Sequence, residues 1–240
     1  MSSSLNLASE PCYCFDENYL EHCLLRDGSP CQIRLIHPSD HDLEIDLISR
    51  LSSDSRYMRF CGTRKCLSEA EIRYFTVVDQ ETHFALVALR LNEDGIPRAL
   101  GVARFIRCPD NPTTAEPAVT VTDDVQGKGL GYLLSCRLAA AAYERGITTF
   151  RAVVLPNNRK AIRLLKGICL SDPVVTWVGS EVVWSIDLAH ISIKPLPCDG
   201  TSLKQWRQVI DEAAFMICPN DPEKESLDDN ALVLDDDVWH

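Results

Sequence analysis

An α+β fold is predicted for this chain: a central mixed, mostly antiparallel sheet flanked by helices. Three observations predict it. Strand-like and helical runs follow one another irregularly, as a hairpin, two helices and then an antiparallel meander, without a repeating strand–helix order. One stretch, from Ala118 to Leu155, has the strand–loop–helix–strand order of a parallel crossover. Two further strand-like runs close the pattern at Leu188.

Each element has its own signal. Residues 1–22 show no clear periodicity and are expected to form an N-terminal extension to a domain spanning 23–190. In "CLLRDGSPCQIRLI" two short apolar stretches flank Asp27-Gly28, a hairpin signal. In "HPSDHDLEIDLISRLS" Leu43, Leu47 and Leu51 recur every four residues behind an N-cap at Ser39 or Asp40, which predicts an amphipathic helix. "LSEAEIRYFTVV" repeats that pattern, with Ser68 and Glu71 spaced as a capping box. "HFALVALRL", a turn at Asn92–Gly95 and "RALGVARFIR" form the meander, and "CPDNPTTAEP" is expected to connect it to the strand "AVTVT". A helix from about Leu130 to Arg145, the strand "TTFRAVVL", a helix opening near Asn157-Asn158, and the strands "PVVTWVG" and "EVVWSIDL" complete the domain. A C-terminal extension is expected over 191–240. Within it Leu203, Trp206, Ile210, Ala214 and Ile217 share one helical face, ahead of an acidic tail.

Composition narrows the function. Apolar content of 45% and charged content of 25% are those of an ordinary globular protein. The net charge of −11 opposes nucleic-acid binding. Residues 195–240 hold three Lys/Arg against eleven Asp/Glu, so that segment carries −8 and the rest of the chain only −3. No apolar run approaches the ~20 residues of a membrane span, and the N-terminal residues lack the pattern of a secretory signal. The eleven cysteines are scattered, without a Cys-x-x-Cys pair, so neither a metal site nor a complete disulfide framework is indicated. Reduced thiols in the cytoplasm are the simplest expectation.

The most informative stretch is "VTDDVQGKGLGYLLSCRLAAAAYERG". A phosphate loop of the NTPase kind needs Lys-Ser/Thr after its last glycine, and here Tyr132-Leu133 follow Gly131. The dinucleotide pattern Gly-x-Gly-x-x-Gly does not fit Gly127-x-Gly129-x-Gly131 either. A third chemistry does: a strand feeding a turn whose backbone N–H groups, with the positive end of the following helix, receive a pyrophosphate. Glycines at 127, 129 and 131 admit phosphates close to the backbone, and Lys128 adds a charge that is either directed at them or simply solvated. A helix-capping turn without ligand is the alternative.

With the downstream "LPNNRKAIRLL", this stretch resembles the acyl-CoA-binding core of the GNAT N-acetyltransferase superfamily, through Gln126-x-x-Gly129-x-Gly131 and Asn158 with Ala161 and Leu164. "LLRDGSPCQIRLIHPSD", "LSSDSRYMRF", "HFALVAL", "LGVARFIR" and "TAEPAVTVTDDVQGKGLG" look like successive blocks of the bacterial Pat-type protein-lysine acetyltransferases, collinear from about Leu24 to Leu188. The resemblance implies a GNAT fold, acetyl-CoA as co-substrate, no metal, and a protein lysine as acceptor, with a small-molecule amine as the alternative. Three features depart from the pattern. Leu165 stands where many members carry a tyrosine used as general acid. Cys169-Leu170 replaces a Gly-Phe pair, and Pro117 replaces a bulky apolar residue. The absent tyrosine and Pro117 favour a rival reading, a module that binds acyl-CoA without turnover, which the intact glycine loop and Glu116 oppose.

Acetyl transfer requires a neutral amine, and a free lysine with pKa ~10.4 is almost fully protonated at pH 7. A carboxylate that accepts the proton removes the obstacle. Glu116, expected at the start of the strand leading into the loop, occupies the place of the general base in the Pat-type resemblance; a solvated strand-edge glutamate is the bland alternative. The resemblance further implies that backbone groups of Val119 and Val121 pair with the pantetheine arm, one N–H stabilising the oxyanion of acyl transfer. It implies that Gln126, Gly127, Lys128, Gly129, Leu130, Gly131 and Tyr132 hold the pyrophosphate. Asn158 either contacts pantetheine or caps its helix. Glu81 and His83 are weaker candidates for a substrate groove, Asp123 and Asp124 are expected to solvate or order the turn, and Cys136 to pack in the core. The acidic tail invites a further expectation, that it docks over a cationic acceptor groove, although a solubilising tail is simpler.

Overall fold

A computed structural model describes residues 14–60, 62, 66–92, 94–169, 171–179 and 181–191. The expected C-terminal helix and acidic tail, and most of the expected N-terminal extension, lie outside them.

Eight strands form one sheet in the order β1-β2-β3-β4-β5-β6-β8-β7. The hairpin is β1 (Leu20–Leu24) and β2 (Pro30–Leu35), turning where Asp27-Gly28 predicts; Gly28 has φ 78°, the left-handed conformation that glycine tolerates. β1 thus begins inside the segment expected to be extension, and Phe15, ahead of it, is fully buried against Phe84. Helix α1 (His41–Ser49) buries Leu47, and Leu51 just past its end is buried with it. α2 (Ser53–Phe60) is a helix to which the sequence reading assigns nothing; it presents no buried residue and little apolar pattern. α3 (Glu69–Thr76) starts at the predicted capping box, the Ser68 hydroxyl accepting from Glu71 N–H while the Glu71 carboxylate accepts from Ser68 N–H.

β3 (His83–Leu91) is buried over most of its length and pairs antiparallel with β2 and with β4 (Pro97–Cys108). The β3–β4 register shifts at Ala88/Leu89, where Leu100 is the extra residue of β4. That bulge lets Ala99 and Val102, three positions apart, pack on the same side beneath α1, while Leu100, Ala103 and Phe105 serve the opposite core. Gly101 sits beside the bulge, and a Cβ there would lie 2.7 Å from the Thr120 carbonyl oxygen.

β5 runs Asn111–Val121. The segment expected to be a connector is therefore mostly strand, and Glu116 lies in mid-strand rather than at its start. Pro112 and Pro117 suggest a loop on propensity alone, but an edge tolerates proline. α4 (Leu130–Glu144) covers the β3–β5 face opposite α1 and carries the buried Leu130, Leu134, Cys136 and Leu138. The chain returns through β6 (Thr149–Val154), α5 (Arg159–Ile168), β7 (Val174–Val178) and β8 (Glu181–Asp187).

Among the described residues β5 and β6 are the one parallel pair, and their ladder is short, Thr114 with Thr149 and Ala115 with Phe150. Beyond it β6 stays paired with β8 as far as Val154, while β5 stays paired with β4 as far as Val121. The sheet thus splays open between the two strands. No helix among the described residues is long and apolar enough to cross a membrane.

Candidate active site

The splay leaves one edge of β5 without a neighbour, and hydrogen bonds fix which backbone groups face it. Thr122 N–H donates to Leu100 O at 2.9 Å on the β4 side, whereas Thr148 N–H reaches Thr113 O at 2.8 Å from the β6 side. Strand alternation therefore turns the N–H and C=O of Val119 and Val121 toward the gap, with the carbonyl of Pro117. Proline has no N–H to donate, and at 117 that missing donor coincides with the point where β6 has already left. Pro117 is thus at home on this edge.

One end of the gap is closed by the glycine loop. Gly127 and Gly129 have φ of 76° and 90°, left-handed conformations that leave their N–H groups free to converge. The first intrahelical bond of α4 is Leu133 N–H to Gly129 O at 3.1 Å, so the N–H groups of Leu130, Gly131 and Tyr132 lie ahead of the ladder, at the positive end of a 15-residue helix. The Leu130 side chain is core, and Gly131 lies close to Val121 and Leu164. Side chains brace the loop from behind. Gln126 Nε2 donates to Val121 O at 3.0 Å and to Ser55 Oγ at 3.2 Å, and its Oε1 accepts from Lys160 Nζ at 2.7 Å. Lys128 Nζ is 2.9 Å from Asp27 Oδ2, and Lys128 O accepts from Arg26 N–H at 3.0 Å. The hydrogen bond from the Ser29 hydroxyl, then the Lys128 contact and the Ser29 N–H, hold the Asp27 carboxyl well below its usual range. Asn158 caps α5, its Oδ1 accepting from Ala161 N–H at 3.1 Å. Asp123 orders the turn as expected, accepting from Ser52 N–H at 2.8 Å and Ser55 Oγ at 2.7 Å.

Glu116 stands opposite Ile106 of β4, which stands opposite His83 of β3, so these three side chains form a row across one face. Its carboxylate is half-exposed and accepts from Arg151 Nη2 of β6 at 2.9 Å, across the beginning of the splay. That hydrogen bond holds the Arg151 guanidinium above its ordinary value. Sequence reasoning passes over Arg151, because nothing in "TTFRAVVL" distinguishes an arginine facing a carboxylate from one facing water.

His83 takes part in a second cluster. Its ring packs 4.9 Å from Tyr74, with Arg104 Nη1 3.5 Å from Nε2. Arg104 in turn pairs with Glu44 Oε1 at 3.0 Å, both side chains buried, and donates to Phe75 O at 2.9 Å. Burial raises the Glu44 carboxyl despite that arginine. The one sequence signal for this pair is a charged residue inside the apolar run of "ALGVARFI". Glu81 lies apart, 3.6 Å from Arg107. Cys136 is core, its thiol pushed up to about 12 by burial. Among the described residues no three His, Cys, Asp or Glu side chains cluster as a metal site.

Residues 32–168, more than half of the chain, match the family model of the acetyltransferase (GNAT) domain. An acetyltransferase of Pseudomonas aeruginosa is 35% identical over 135 residues, covering 56% of this chain and 72% of that protein. The acetyltransferase Pat of Mycolicibacterium smegmatis is 34% identical over 172 residues, covering 72% of this chain; the chain spans 48% of that relative's length. Among solved structures, the GNAT domain of S. lividans PAT superposes with a TM-score of 0.62 at 27% identity, covering 70% of this chain and 96% of that one.

Proposed function

This chain belongs to the acetyltransferase (GNAT) family, and from that premise we propose that it moves an acetyl group from acetyl-CoA directly to a lysine side chain of a protein, within a ternary complex. The observation that carries the reading is the splay: a strand edge with backbone groups turned to the gap, a row of helix N-terminal N–H groups at one end, and a half-exposed carboxylate, Glu116, on its rim.

The residues present fit the family's donor. Left-handed glycines at 127 and 129 with the N–H groups of Leu130, Gly131 and Tyr132 suit a pyrophosphate. Gln126 and Lys128 hold that loop in shape, and Val119 and Val121 offer amide partners along the gap for a pantetheine arm. When bound, acetyl-CoA supplies the thioester carbonyl that a neutral amine attacks. Glu116 accepts the proton from the incoming ammonium, which shares the carboxylate with Arg151 as it arrives. The gap-facing Val119 N–H donates to the carbonyl oxygen as charge develops there. Leu165 packs into the apolar core and has no proton to give to a departing thiolate.

The acceptor class follows the resemblance to Pat-type protein-lysine acetyltransferases, and the cytoplasm is the proposed compartment. A small-molecule amine is the second acceptor, and the absence of a hydroxyl at Leu165 favours the non-catalytic acyl-CoA-binding alternative. Calorimetry with acetyl-CoA on the wild type and Gly129→Glu, with free-CoA release on a panel of lysine peptides and amines, separates these readings. Binding lost in Gly129→Glu, with turnover on peptides, is the expected result. Binding with no release across the panel would support the non-catalytic module, and no binding would reject the pyrophosphate role of the loop.

A further inference from the structure

Cys23 and Cys31 stand directly opposite each other on β1 and β2, and their Sγ atoms are 2.9 Å apart, closer than non-bonded sulfurs pack. Both are thiols. Leu25 N–H donates to Ser29 O at 2.8 Å, which makes the 23/31 pair, two residues along, a hydrogen-bonded one. Such pairs have Cα atoms ~5.5 Å apart, inside the range of roughly 4.4–6.8 Å that a disulfide spans. Closing the bond therefore asks little of the backbone. Among the described residues β1 is the edge of the sheet, and Cys23, packed against the core beside Cys31, keeps part of its surface toward solvent, the side from which a small reagent approaches.

The pair sits at the base of the turn that backs the glycine loop. Arg26 N–H donates to Lys128 O at 3.0 Å, Asp27 pairs with Lys128 at 2.9 Å, and the Arg26 side chain lies 3.3 Å from where a Gly129 Cβ would be. The other end of β1 is tied to α4 by Arg137, which holds Glu21 at 2.7 Å through both carboxylate oxygens. The hairpin is thus clamped between the glycine loop and the helix that follows it, with the two sulfurs in the middle.

We propose that Cys23 and Cys31 form a reversible thiol–disulfide site, oxidised by exchange with a low-molecular-weight disulfide, whose closure holds the β1–β2 turn against the glycine loop. In the exchange Cys23 gives its proton to solvent and its thiolate attacks one sulfur of RSSR; the departing thiolate takes a proton and leaves as RSH. Cys31 then loses its proton and displaces the second thiolate from Cys23, so one dithiol and one RSSR give one protein disulfide and two RSH. The hydrogen bond the two sulfurs share pulls the Cys31 thiol below its ordinary value and holds the Cys23 thiol above, so Cys31 gives up its proton readily for the second displacement. Transient disulfides of this kind act as redox sensors in otherwise reducing compartments.

The test equilibrates the full chain with glutathione at a series of reduced-to-oxidised ratios, maps disulfides by mass spectrometry after alkylation, and measures amide exchange over residues 126–131. The expected result is a Cys23–Cys31 cross-linked peptide together with exchange in the loop slowed about threefold or more, both reversed by dithiothreitol and both absent in Cys23→Ser and Cys31→Ser. The reductant-treated wild type serves as a control that needs no substitution. Two alkylated thiols at full oxidation, stable glutathione adducts, pairing with another cysteine, or a disulfide that leaves loop exchange unchanged would each overturn the proposal. An effect on acetyl-CoA affinity follows only if the loop holds the pyrophosphate; exchange measured without acetyl-CoA keeps the two readings separable.

Discussion

Glu116 and Arg151 show how far a single residue is legible. The carboxylate is noticeable because amine acetylation needs a base, and its family context singles it out from the other acidic side chains. The arginine that holds it at 2.9 Å is invisible until β5 and β6 are placed side by side. Because both side chains are well exposed, their ion pair contributes little to stability. Glu116→Gln is accordingly expected to leave Tm within a degree or two while lowering kcat/KM by about 10²–10⁴-fold, the usual worth of a general base; a loss under about threefold in a steady-state assay would remove Glu116 from that role. His83 gives a prediction with the opposite balance. Burial, with the Arg104 cation beside the ring, lowers its pKa from 6.5 to about 4, against a smaller pull upward from Asp79. The unfolded chain therefore binds a proton that the folded chain refuses. Stability present above pH 6.5 is lost as pH falls toward 4. Urea unfolding at pH 7, 5.5 and 4.5 is expected to show that decline in the wild type and a flatter profile in His83→Gln.

At the scale of elements, local chemistry is legible and pairing is not. The capping box at Ser68 and Glu71, the Asp27-Gly28 turn and the four-residue spacing of Leu43, Leu47 and Leu51 each act over a few residues, and each element forms where those residues predict it. β5 is misjudged because Pro112 and Pro117 suggest a loop; whether proline is tolerated depends on a neighbouring strand that the segment itself does not encode. α2 escapes notice because it buries no residue fully: Phe60 packs on the cluster beneath α1 only in part, and the start of the helix is held by hydrogen bonds from Ser52 and Ser55 to Asp123. The β4 bulge is a third case. Gly101 exists to let β4 approach β5, and a methyl group there meets the Thr120 carbonyl at 2.7 Å. Gly101→Ala must push the strands apart or shift the bulge, and it is expected to cost about 1–3 kcal/mol, as overpacking does elsewhere. A denaturant midpoint equal to that of the wild type would show that the bulge relaxes freely.

For the whole molecule, the sequence order of elements makes the fold class legible, while the site depends on a feature no segment contains, the parting of β5 from β6 after two paired residues. Charge is the property of the whole chain that sequence reports best. The chain carries −11, of which −8 belongs to residues 195–240. A field of that sign draws cationic molecules toward the protein, but at physiological ionic strength it decays over about 8 Å. If the tail acts only through that diffuse field, ending the chain at Lys194 leaves kcat and the acceptor KM within about twofold at 0.15 M salt and weakens the salt dependence of KM below that. If instead the tail lies over the acceptor groove, the shortened chain shows a lower KM at every salt concentration, because displacing a docked segment costs affinity that screening does not return. Steady-state kinetics on the two chain lengths at 0.02 and 0.15 M salt distinguish these outcomes. The unchanged KM at the higher salt is the expected one, since the −3 left on residues 1–194 gives an acidic tail little net positive charge to bind.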